Sequence, residues 1–136
     1  MSPPALFSPP LQPAEGGNPF ADPLPPLWLY LSFRGRISRA TFWRHGVLWL
    51  LLMTLLFNGL LGIVGLDAEQ ADGLTNLLLL WPALAISVKR WHDRNRSAWW
   101  VLVNLIPLVG WLWVLIENGM LRGTPGDNDY GPPPVV

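Results

Sequence analysis

From Gly46 to Leu66 the chain carries no charged residue, and this run constrains the fold more than any other feature. Its length, about 21 residues, makes a helix of roughly 31 Å, the thickness of a bilayer's hydrocarbon core. Two further apolar runs follow. Leu74 to Val88 is about 15 residues, slightly short for a span. Snorkelling by Lys89 and Arg90 and anchoring by Trp91 extend it to a workable length. Pro82 in its middle predicts a kink. Ser97 to Ile116 is about 20 residues, again a spanning length. At its centre Pro107-Leu108-Val109-Gly110 marks either a kink or the tip of a re-entrant hairpin. Each half is about ten residues, too short to cross alone, so the reading is one kinked span. The expected fold is therefore all-α, a small transmembrane helical bundle of about three spans. Its membrane domain covers 28–134, with spans near 46–66, 74–91 and 97–118.

Composition supports this reading. Hydrophobic residues make up 51% of the chain and charged ones 13%, half the usual share of charge. A domain of 136 residues has a large surface for its volume, and too few charges exist here to coat it. The apolar surface must face lipid. A formal net charge of +0 argues against nucleic acid as a partner. With 0 cysteines, disulfides, thiolate metal sites and cysteine chemistry are excluded. The first residues have neither a basic n-region nor an apolar h-region, so the first internal span is expected to act as an uncleaved signal.

Residues 1–27 read as a Pro-rich arm. Pro3, Pro4, Pro9, Pro10, Pro13, Pro19, Pro23, Pro25 and Pro26 remove backbone donors and fix φ, which predicts a disordered or polyproline-like segment. Asn18-Pro19-Phe20 and Pro23-Leu24-Pro25-Pro26 resemble docking peptides for a protein partner, although motifs this short also occur in plain solvated tails. After the arm, Leu27 to Phe33 is aromatic and suits the membrane interface. Gly35 reads as a turn, and Ser38 as the N-cap of the helix that follows.

Basic residues fall in blocks. Arg34, Arg36, Arg39 and Arg44 precede the first span. The loop after it holds Asp67, Glu69 and Asp72 and no Lys or Arg. Lys89, Arg90, Arg94 and Arg96 fill the second loop, and Arg122 stands alone near the end. The positive-inside rule then puts the N-terminus and the second loop in the cytoplasm. Three spans leave the C-terminus outside; a re-entrant third segment leaves it inside. Trp28, Trp43, Trp91, Trp99 and Trp100 mark the cytoplasmic interface. Trp111 and Trp113 lie about twelve residues, or roughly 18 Å, further on.

Chemistry concentrates in Lys89-Arg90-Trp91-His92-Asp93-Arg94-Asn95-Arg96. His92 and Asp93 have the right types for an acid/base pair, but neighbours on a helix point about 100° apart. Only Ser97 is near as a nucleophile. His45, His92 and Asp93 could hold a metal, yet come from separate segments without ligand-type spacing. No catalytic, cofactor or metal site is therefore assigned. The candidate lipid-headgroup or polar-cap residues are Arg34, Arg36, Arg39, Lys89, Arg90, His92, Asp93, Arg94 and Arg96. Basic clusters beside spans attract anionic lipids by about 1 kcal/mol per charge, and arginine can grip a phosphate with two donors. The blander reading is that these charges only set orientation. Inside the spans, Gly59, Gly62 and Gly65 recur for close helix packing, and Asn58, Asn76 and Asn104 supply amides for interhelical hydrogen bonds. No ionisable group and no repeated half appears there, which disfavours a proton-coupled carrier.

The motifs resemble a known family. Phe33-x-Gly35-Arg36-x-x-Arg39-x-x-Phe42-Trp43 is similar to the opening of the bacterial inner-membrane family called domain of unknown function 805. Arg90-x-His92-Asp93 followed by Arg96-Ser97-x-Trp99-Trp100 resembles its central signature. Pro107-x-x-Gly110 and Gly123-x-x-Gly126-x-Asn128-x-Tyr130-Gly131 resemble its last span and tail. The likeness covers roughly 30–134, with Trp91 where the family more often has Leu and Ala98 where it often has Gly. It implies a bacterial inner membrane and a small multi-span domain, and no particular reaction. If Arg36, Arg39, Asp93 and the Gly123–Gly131 turn form one polar cap, the tail must return to the cytoplasmic face, which favours the re-entrant third segment.

The expected function is a non-enzymatic inner-membrane module, associated with anionic lipids or with a protein partner recruited by the arm. The alternative is a small transport or channel component acting as an oligomer, since three helices enclose little. A membrane enzyme ranks behind both.

Overall fold

The structure, a computed structural model, describes residues 26–134. The Pro-rich arm up to residue 25, with the docking-type sequences apart from Pro26, lies outside them. Pro26 and Leu27 open a short helix, α1 (Pro26–Leu31). All regular structure among the described residues is helical.

Two helices are long and apolar enough to cross a membrane: α2 (Arg39–Ile63) and α3 (Ala68–Asp93). Their starts are set by side-chain caps. Ser38 Oγ accepts from the Thr41 N–H at 3.2 Å, and Asp67 Oδ1 accepts from the Gln70 N–H at 2.9 Å, each satisfying a donor with no partner in its own helix. Both helices therefore begin well before the apolar stretch that marks them in the sequence. Gly65, at φ +101°, ends α2 in the left-handed conformation that suits a residue without Cβ. α3 runs unbroken through Pro82.

Where α2 and α3 approach, the close contact is at Gly46. A Cβ there would sit 2.9 Å from Ile86 Cγ2, whereas one at Gly59, Gly62 or Gly65 would meet nothing within 4 Å. The expected small-residue packing stripe is thus unused among the described residues. Gly46 lies in a stretch of wider π-helical turns (Phe42–Leu48). On α3 the buried residues Ala71, Thr75 and Leu79 recur every four residues, one face of a helix. The other faces are apolar and open: Leu55 is 63% exposed, Leu77 69% and Ile63 84%. A surface this apolar requires lipid or protein against it. Asn58 Nδ2 donates to Thr54 O of its own helix at 3.0 Å, so the expected interhelical bond is not made there.

The third apolar run departs from one kinked helix. Ala98–Leu105 winds as a 3₁₀ helix, and α4 (Val109–Val114) follows, continuing in π-type turns over Leu115–Met120. Between them Leu108 adopts φ 62°, ψ −67°, and Val109 N donates to Pro107 O at 2.7 Å. This is a γ-turn of the strained, positive-φ kind. Pro107 has no N–H to continue a helix. The chain then doubles back: a Cβ on Gly110 would lie 1.9 Å from Val103 O, and Trp111 Nε1 donates to Asn104 O at 3.0 Å. The outgoing limb reaches roughly 16 Å and the returning one roughly 18 Å, each far less than a hydrocarbon core. The returning limb ends beside the start of α2, where Arg39 Nη1 donates to Met120 O at 2.7 Å.

Near that same end Leu29, Ile37, Phe42 and Ile86 form a small buried apolar cluster, with Trp28 and Tyr30 packed on it. Tyr30 stacks on Trp49 at 4.2 Å.

Candidate functional site

The last turn of α3 and the loops around it build a polar cap from buried charges. Asp93 is 3% exposed and sits between two guanidinium groups that are as deeply buried, Arg36 at 3% and Arg90 at 0%. Arg36 comes from the loop after Gly35. Its Nε donates to Asp93 Oδ1 at 3.0 Å, and its Nη2 lies 2.9 Å from the same oxygen. Arg90, one helical turn before Asp93, pairs with Oδ2. One carboxylate thus answers two arginines.

The remaining donors of both arginines read the backbone of the C-terminal tail. Arg36 donates to Gly126 O at 2.7 Å, Gly131 O at 3.1 Å and Thr124 O at 2.7 Å. Arg90 donates to Asn118 O at 2.6 Å and Leu121 O at 2.5 Å. In return, Thr124 N donates to Asp93 O at 2.8 Å. Gly123 passes so close that a Cβ would meet Asp93 Oδ2 at 2.0 Å. Asn128 and Gly131 close the tail on itself with a mutual pair of backbone hydrogen bonds at 3.1 Å. Burying charges is costly unless each is paired and hydrogen-bonded, and the planar fork of arginine suits this task.

Around this centre the other predicted residues take separate roles. Lys89 does not snorkel. It is fully buried, donates to Trp28 O at 3.0 Å and Leu29 O at 2.5 Å, and lies 4.4 Å from the Trp28 ring centroid. It therefore fastens the backbone of α1 to the last turns of α3. Arg90 does not snorkel either, being held inside by Asp93. His92 stacks on Tyr130 at 3.9 Å, nearly parallel. Its Nδ1 lies 3.2 Å from Gly35 O, so it does not pair with Asp93. Arg94 and Arg96 share Glu117 at 3.1 and 3.4 Å, and Arg96 covers the Trp100 ring at 4.3 Å. Trp91 is fully buried rather than an interface anchor. Arg39 reaches only the Met120 carbonyl and is exposed, as is Arg34.

The sequence reading missed several members. Glu117, Asn118 and Trp43 all contact the cap or flank it, Trp43 by donating to Gly119 O at 3.0 Å. Charge counting offered a signal for Glu117: between Gly73 and Gly126 the acids are Asp93 and Glu117 alone, against a block of cations. Chemically, the cap is a fastening. Asp93 Oδ1 and Oδ2 are both engaged by guanidinium groups, which suits neither a general base nor a ligand. No group of three His, Cys, Asp or Glu side chains comes together among the described residues.

Residues 30–132 match the model of the family described as "Protein of unknown function (DUF805)". The chain belongs to this family. Among similar DUF805-type proteins of Escherichia coli (strain K12), the inner membrane protein YhaH is 36% identical over 115 residues, covering 79% of this chain and 90% of that protein. The uncharacterized protein YiiR is 37% identical over 128 residues, covering 76% and 86%. The inner membrane protein YhaI is 33% identical over 105 residues, covering 77% and 87%. No solved structure matches the chain. Every residue of the Arg36–Arg90–Asp93 centre lies inside the DUF805 match, as does the tail that it holds.

Proposed function

We propose that this protein is a non-enzymatic module of the inner membrane that associates with anionic lipid at its cytoplasmic face. In this reading α2 and α3 cross the bilayer as a hairpin, the third segment re-enters from the cytoplasmic side, and both termini lie inside. The observation that carries it is the tie between the tail and Arg36: three tail carbonyls are hydrogen-bonded to a residue of the first basic block. The positive-inside rule assigns that block to the cytoplasm, and the tail goes with it. The hairpin tip fits the same placement. Leu105, Leu108 and Val109 are 78%, 75% and 70% exposed, an apolar tip that lipid would cover. Cations outnumber acids at this end, which favours an anionic leaflet.

Reporter fusions at Val136 test the topology. A green fluorescent protein fusion is expected to fluoresce and an alkaline phosphatase fusion to be inactive; an active phosphatase overturns the re-entrant reading. Purification with native lipid analysis tests the association. Acidic lipid enriched over the bulk membrane supports it, and a bulk-like lipid profile overturns it.

A further inference from the structure

The buried arginines of the cap are spent on Asp93 and the tail, so they cannot also hold a ligand. A separate groove beside them can. A cavity of about 450 Å³, within the range of small-ligand sites, lies between the start of α2 and the tail. Ser38, Arg39, Trp43, Asp93, Arg122 and Thr124 line it. The Asp93 charge is already answered by Arg36 and Arg90. The unanswered charges in the groove are Arg39 and Arg122. Arg39 uses Nη1 on Met120 O and keeps Nε and Nη2. The Arg122 side chain forms no hydrogen bond or ion pair among the described residues. Arg39 and Ala40 also form the first turn of α2, where free N–H groups and the helix dipole favour negative charge. Trp43, 40% exposed, walls one side, with an indole suited to headgroup depth.

We propose that this groove binds a phosphate group through Arg39 and Arg122, the phosphate belonging to an anionic lipid headgroup or to a free phosphate compound. Two guanidinium groups converging on one cavity match the bidentate geometry of phosphate. The lipid form of the proposal rests on the anionic-lipid reading above; the free-phosphate form does not.

The full chain in detergent is titrated with phosphatidylglycerol, with phosphatidylcholine and with inorganic phosphate, and bound species are counted by native mass spectrometry. Arg39→Gln and Arg122→Gln are each expected to weaken phosphatidylglycerol binding about fivefold and together about thirtyfold. Arg44→Gln removes one charge outside the groove and is expected to leave binding unchanged. Because Arg39 also holds Met120, the Arg122 single variant guards against a folding effect. If phosphate alone binds and needs both arginines, the groove stands and the lipid reading falls. Equal loss from Arg44→Gln and Arg122→Gln overturns the groove and leaves diffuse lipid attraction. No binding of either probe overturns both.

Discussion

α3 has two regions of opposite character. Around Leu77, Leu78, Leu80 and Trp81 its side chains are more than half exposed and apolar, whereas from Val88 to Asp93 every side chain is buried, including Lys89, Arg90, His92 and Asp93. A water-soluble domain has the reverse arrangement, with charge outside and apolar groups within. The difference follows from the solvent. Lipid tails are as apolar as leucine, so apolar surface on the shafts gives helices little reason to choose one partner over another. Specific fastening must come from hydrogen bonds and ion pairs, and the chain concentrates them at one end. The shafts determine where the protein resides, and the cap determines how its segments are joined.

The strongest way to break this contrast is at Asp93. Asp93→Asn keeps the shape of the side chain and removes the charge that balances Arg36 and Arg90. Two buried guanidinium groups then face each other unneutralised, a loss of about 3–5 kcal/mol. The expected result is a much lower unfolding midpoint in detergent, followed by circular dichroism, together with protease sensitivity of the tail after Met120. A midpoint unchanged from wild type would show that the cap does not hold the molecule together.

Gly123→Ala tests the same centre through space rather than charge. The added methyl would sit 2.0 Å from Asp93 Oδ2, and the carboxylate is clamped by both arginines and cannot swing aside. Overpacking of this kind costs about 1–3 kcal/mol, so the midpoint should fall by less than for Asp93→Asn. The two effects should not add, because both disrupt one network. The double variant read against the two singles measures this, and strict additivity would show that Gly123 and Asp93 act apart.

How far the sequence spoke for itself also divides along this line. The shafts were legible, because an uncharged run of spanning length can be read without knowing any contact. Ser38 as a cap was legible for a similar reason, since the cap bonds within one turn. The cap was only half legible. Arg36, Arg90 and Asp93 stood out as charges, but their partners are backbone carbonyls far along the chain, and a carbonyl leaves no mark in a sequence. Lys89 and Arg90 read as snorkelling because their place at the end of an apolar run is the same whether they turn outward or inward. At Leu108 the sequence reads first as one kinked span and only second as a re-entrant hairpin, because Pro107 and Gly110 suit a kink as well as a turn. What decides is Gly110, whose missing side chain lets the returning limb lie against Val103 O.

The smallest effect is expected on the shaft, and its smallness is the test. Gly59 belongs to a glycine series that, read as sequence, looks like a packing face. An added Cβ there meets nothing within 4 Å, and the position is inside α2. Alanine is the better helix former by up to about 1 kcal/mol, although lipid-exposed backbone already has every reason to stay helical. Gly59→Ala should therefore leave the unfolding midpoint within about 0.5 kcal/mol of wild type, or raise it slightly. The same measurement on Gly46→Ala supplies the contrast, since Ile86 Cγ2 stands 2.9 Å away and the helices must part to admit the methyl. If Gly59→Ala destabilises the protein as much as Gly46→Ala, then the open face of α2 is occupied by something outside this chain, and the division between a fastening cap and a passive shaft is too simple.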